Sequence, residues 1–155
     1  MQALKIEPKR ARELYPAAPA EFKAILEDSF GKEFFNQKMT DRIKTFEDAC
    51  EDQGIHPVTA LPYTKPANDH EEAVNAIAKI FIIAKSLNEG WKPDFTNSNQ
   101  YKYYPWFKYS GSGLSYADYG SWTTRTICGV RLCFKSAELA EYAGTHFLDI
   151  YKKFM

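Results

Sequence analysis

The chain changes its pattern at Gly90, and that change limits its fold more than any other feature. Before Gly90, apolar residues return at helical spacing. After it, from Trp91 to Lys135, Tyr, Trp, Phe and Thr dominate and glycines punctuate the run, which is the composition of strands and turns. Helix-type and strand-type patterns are therefore segregated along the chain rather than alternating. Segregation of this kind predicts an α+β fold, with about four helices packed on a small antiparallel sheet of three to four strands. With 155 residues, 45% of them hydrophobic, the chain can build one domain around one core.

Within that single domain, residues 1–18 are charged and then proline-flanked, and are expected to form a loosely held N-terminal arm. The helical part spans 19–90. Pro19 suits a helix start, Phe22, Ile25, Leu26 and Phe30 share a face, and Gly31 suits the end. A second helix is expected from a Thr40 cap to Gly54, burying Ile43, Phe46, Ala49 and Cys50. Pro57, Pro62 and Pro66 keep 54–68 out of regular structure. Asn68 or Asp69 then caps a helix that runs to about Asn88. Its apolar face is so wide that it should be buried on most sides. Residues 136–155 predict a C-terminal helix capped by Ser136, with Leu139, Ala143, Phe147, Ile150 and Phe154 inward.

The aromatic-rich β part, 91–135, holds the candidate site. Strands are expected at 101–109, near 114–118, and at 122–134 with a break at Gly129. "YKYYPWFKYS" (101–110) places Tyr101, Tyr103, Pro105, Phe107 and Tyr109 on one face, suited to lie against helices. The other face carries Lys102, Tyr104, Trp106 and Lys108. Pro105 cannot donate to a ladder, which puts this strand at a sheet edge or a bulge. The segment has six cations (Lys92, Lys102, Lys108, Arg125, Arg131, Lys135) against two acids (Asp94, Asp118), although the chain as a whole has zero net charge. All three tryptophans lie in it.

Rings interleaved with cations suit single-stranded nucleic acid, where ring faces stack on bases and cations meet phosphates. Tyr104, Trp106 and Trp122 are the candidate stacking residues, and Lys102, Lys108, Arg125 and Arg131 the candidate phosphate contacts. The same residue types suit a protein partner, self-association through the strand around Pro105, or a glycan. The structural alternative is that the rings serve as core and cross-strand pairs.

Other motifs fall short. "DHEEAV" (69–74) has Val74 where the zinc-protease helix needs histidine, and acids at a helix start explain it. "DFTNSNQ" (94–100) is rich in carbonyl oxygens but lacks the glycine and glutamate of a calcium loop, so an Asx-rich turn is expected. Cys128 and Cys133 lack companions at zinc spacing. His146 falls beside the inner stripe of the last helix, the place of a satisfied core histidine. A Cys–His nucleophile pair using Cys50 or Cys133 has no positive signal, and neither does a phosphate-binding loop. The expectation is a binding protein without enzyme activity or cofactor. Three scattered cysteines, no signal-peptide pattern and no membrane-length apolar run predict a cytoplasmic protein with no membrane contact.

Several phrases together carry a resemblance: "FGKEFF" (30–35), "DRIKTFEDAC" (41–50), "LNEGWKPDF" (87–95), "NQYKYYPWF" (99–107) and "RLCFKSAELAEYAG" (131–144). With them the chain, from about residue 20 onward, resembles uncharacterised proteins encoded by phages, prophages and mobile elements of anaerobic gut bacteria. The resemblance implies a cytoplasmic accessory protein whose partners are nucleic acid or host and phage proteins. It carries over no catalytic residue.

Overall fold

Nineteen residues, Asp69–Leu87, form the longest helix of the computed structural model, which describes residues 5–155. The Asn68 side chain accepts the Glu71 N–H at 3.0 Å, and Asp69, Glu71 and Glu72 place negative charge at the positive end of the helix dipole. Five shorter helices precede it: α1 (Pro8–Leu14), α2 (Ala20–Phe30), α3 (Lys32–Asn36), α4 (Met39–Arg42) and α5 (Phe46–Gln53). The long helix is α6. After it come a hairpin of β1 (Lys102–Ser110) and β2 (Gly113–Trp122), then α7 (Ala137–His146) and α8 (Leu148–Tyr151). The described residues are thus α+β, with eight α-helices and one two-stranded antiparallel sheet.

The core lies between α6, α5, α7 and the hairpin. Ile80, Ile83 and Leu87 of α6 meet Phe46, Ala49 and Cys50 of α5, Leu139, Ala140 and Ala143 of α7, and Leu114 and Phe134. A part-buried polar contact fixes α5 against α6: the Gln53 side-chain amide donates to Ser86 Oγ and to the Ile82 carbonyl, both at 2.7 Å. Gly144 lets α7 approach the hairpin, because a Cβ there would stand 2.6 Å from the Tyr116 ring and 2.7 Å from Pro105 Cβ.

Four expectations need correction. The N-terminal arm is helical from Pro8 to Leu14 and continues through a 3-10 turn at Tyr15–Ala17. It is held by Tyr15 stacked on Phe35 at 4.0 Å and by the Arg12 guanidinium 3.6 Å over the Phe34 ring. The expected Thr40–Gly54 helix is divided, because Thr45 takes the capping role. Its hydroxyl accepts the Asp48 N–H at 3.1 Å, and the Asp48 carboxylate accepts the N–H groups of Thr45 and Lys44. The C-terminal helix likewise breaks at Phe147.

The fourth correction concerns the sheet. Residues 123–132 turn instead of forming a third strand. Thr126 Oγ1 accepts the N–H groups of Cys128 and Gly129, and Gly129 takes φ +70°, a left-handed conformation that suits glycine. Phe134 alone reaches β1, exchanging both backbone hydrogen bonds with Tyr103 at 2.7 and 2.9 Å.

The candidate binding face of the hairpin

Antiparallel pairing decides which rings share a face. Lys102 lies opposite Trp122, Tyr104 opposite Gly120, Trp106 opposite Asp118 and Lys108 opposite Ser115. These eight residues make the outer face. Phe107 and Tyr109 lie opposite Tyr116 and Leu114 on the face turned to α7 and α8, where the Phe107 ring packs 4.7 Å from Tyr151. From Lys102 onward the residues of "YKYYPWFKYS" share faces as the alternation predicts, but burial does not follow the faces. Tyr101 and Tyr109, expected inward, are 56% and 69% exposed, while Lys102 and Tyr104, expected outward, are buried.

Pro105 sits where its missing donor costs nothing. Tyr103 directs its N–H and C=O to Phe134, so residues of the same parity in β1, Pro105 among them, face away from β2. The bulge lies in the opposite strand: Ala117 has no partner between the pairs Trp106–Asp118 and Phe107–Tyr116. Beside it Asp118 Oδ1 accepts the Tyr119 N–H at 2.8 Å. Both edges are thereby poor templates for an added strand.

On the outer face the predicted residues separate. Lys102 is only 1% exposed. Its ammonium group donates to the carbonyl oxygens of Asp94, Asn97, Gln100 and Thr123, and it lies 5.0 Å from the centre of the Phe95 ring. It is therefore sequestered and not placed to meet a phosphate. The carbonyl-rich "DFTNSNQ" supplies three of those four oxygens, so this loop surrounds a cation of the protein itself. The expected Asx turns are present: Asp94 Oδ1 accepts the Thr96 N–H at 2.9 Å, and Asn97 Oδ1 accepts the Asn99 N–H at 2.9 Å. The Thr96 hydroxyl, donating to Asp94, holds that carboxyl below its ordinary range, with the Thr96 N–H and the Lys102 charge acting in the same direction.

Tyr104 is 7% exposed because its ring lies over Gly120, where an added Cβ would meet it at 2.5 Å. It supports the face from below and is not an open platform. Trp106, at 56% exposure, and Trp122, at 41%, remain open. The Trp106 ring centre lies 6.2 Å from that of Tyr104 at a 37° tilt. Trp122 stands opposite Lys102, four residues along from Trp106, a separation of about 13 Å along the strand axis.

Lys108 and Arg125 are exposed and form no ion pair among the described residues. Arg131 lies elsewhere, with its guanidinium 5.8 Å over the Phe81 ring of α6. Lys135 is paired with Glu89 at 2.5 Å. The face thus offers two open indoles, a supporting phenol, the Lys108 cation and the Asp118 carboxylate, with Arg125 exposed in the turn that follows β2, far less positive charge than the segment's composition suggests.

The cysteines and His146 do not assemble into a reactive pair. Cys50 and Cys133 are buried, and burial pushes the Cys133 thiol up to about 12. His146 is exposed rather than part of the core. Its Nε2 lies 2.7 Å from the Lys44 carbonyl and its ring stacks on Tyr142 at 4.9 Å. Among the described residues no group of three or more His, Cys, Asp or Glu side chains is arranged to hold a metal, and no helix is long and apolar enough to cross a membrane. No protein-family model, curated protein or solved structure matches the chain.

Proposed function

We propose that this protein is a non-enzymatic binding module that holds single-stranded nucleic acid on the outer face of its hairpin, as a cytoplasmic accessory protein of a phage or mobile element. The observation that carries the reading is the pair Trp106 and Trp122. Both indoles are open to solvent on one face of a short sheet, although a tryptophan normally buries most of its large apolar surface. Two ring platforms about 13 Å apart along one strand axis favour an extended polymer with a flat group at each step. Lys108 and Arg125 supply the phosphate contacts. The mobile-element setting rests on the sequence resemblance.

Fluorescence anisotropy with labelled single-stranded DNA and RNA tests the proposal. Saturable binding is expected, with Trp106→Ala and Trp122→Ala each losing about 1–3 kcal/mol, the worth of one stacked base. Binding to neither polymer at low salt would remove it.

A protein partner on the same face is the second reading. Asp118, directly across from Trp106, favours it because a carboxylate there repels phosphate but suits a mixed-charge protein surface. Self-association by strand addition is disfavoured by Pro105, the Phe134 bridge, the Ala117 bulge and the Asp118 cap.

A further inference from the structure

We propose that a second site, separate from the hairpin face, lies beside the C-terminal half of α6 and takes a phosphate monoester attached to a flat ring, as in a nucleoside 5′-monophosphate. The site is a hollow of about 410 Å³ between α6, the 90–93 turn and residues 130–131, a volume typical of small-molecule sites. Its walls are apolar and aromatic, with Phe81 on the helix and Trp91 and Pro93 on the turn. Three cations, Lys85, Lys92 and Arg131, line it, and no carboxylate does.

The charge pattern decides the class of ligand. The nearest acid in sequence, Glu89, is engaged by Lys135 at 2.5 Å. Asp94 is turned to Thr96. The C-terminal end of α6 contributes roughly half a negative charge. That leaves three full cations in clear excess, enough for the charge of about −1.5 to −2 on a phosphate monoester and more than one carboxylate requires. Arg131 is the specific element. Its guanidinium stands 5.8 Å from the centre of the Phe81 ring, within cation–π reach at the wall of the hollow, and a guanidinium binds two phosphate oxygens at once. The indole of Trp91, half-buried in the wall, is the aromatic surface available to the ring of the ligand. Neither the Trp106–Trp122 platform nor Lys108 takes part, so the site stands whether or not the hairpin binds nucleic acid.

Isothermal titration of the full chain with adenosine and cytidine 5′-monophosphates tests the site, with adenosine and inorganic phosphate as partial ligands. Both nucleotides are expected to bind saturably, and each partial ligand at least about ten-fold more weakly. Arg131→Ala is exposed enough to leave the fold intact and should weaken the nucleotides by at least about ten-fold, the cost of one charge-assisted hydrogen bond. Trp106→Ala should bind them as the natural chain does. The proposal is overturned by absence of saturable binding, by an unchanged Arg131→Ala, or by inorganic phosphate binding as tightly as the nucleotides. Loss of nucleotide binding in Trp106→Ala would also overturn it, by moving the site to the hairpin.

Discussion

Replacing Lys102 by methionine keeps the buried stem but removes the charge that four carbonyl oxygens surround. Those oxygens would lose a charged donor inside the protein, so Lys102→Met should cost roughly 2–4 kcal/mol in urea denaturation. Lys108→Met, on the same strand face but in water, should change stability by no more than about 0.5 kcal/mol. Equal effects would contradict the assignment of Lys102 as a structural residue. The sequence hides this difference, because two lysines six residues apart on one strand face look alike. The distinction comes from the 94–100 loop folding back over one of them. The carbonyl-rich composition of that loop was the available signal, and its occupant is an ammonium group. Asp94 gives the loop a pH dependence. Its folded-state carboxyl is held below the ordinary value, so its contribution is present above the usual carboxylate range and is lost as pH falls through the depressed value. An NMR titration of Asp94 should therefore place its midpoint below about 3.9, and the amide resonances of 95–100 should move with it.

At the scale of elements, two glycines set how closely parts of the molecule approach. Gly144→Ala gains about 1 kcal/mol of helix propensity but drives a Cβ against Pro105, whose ring cannot swing away. Overpacking of this kind costs about 1–3 kcal/mol, so a net loss is expected by thermal or urea unfolding. A more stable variant would show that α7 and the hairpin are not in tight contact. Gly120→Ala meets the Tyr104 ring instead. The clash there is with the far end of a side chain rather than with a fixed proline ring, so this variant should alter the outer face more than the stability. Elements written in local signals were legible: α6 from its Asn68 cap and wide apolar stripe, β1 from its alternation, and the turn after it from "SGSG". Elements decided by competition were not. Thr40 and Thr45 can both cap, and only Thr45 finds Asp48 three residues on. The aromatic and β-branched residues of 122–134 suit a strand, but the Thr126 hydroxyl closes a turn there instead.

For the whole molecule, alternation in one strand grouped the residues that share a face, and the structure divides them by role. Trp106, Trp122 and Lys108 are open and Lys102 and Tyr104 are built in, while Arg125 is exposed in the turn after β2 and Arg131 is turned to α6, both outside the face. Net charge along a segment did not reveal this, because it counts cations without regard to where their charges are already satisfied. The difference is measurable in the salt dependence of single-stranded oligonucleotide binding. The slope of log K against log salt is about −0.7 for each phosphate contact on a single strand. Two free cations, Lys108 and Arg125, predict a slope of about −1.4, and binding should persist into moderate salt because stacking carries it. A slope near −2.8, the value for four phosphate contacts, would mean that Lys102 and Arg131 also engage the ligand, and would contradict the account of the face given by the structure.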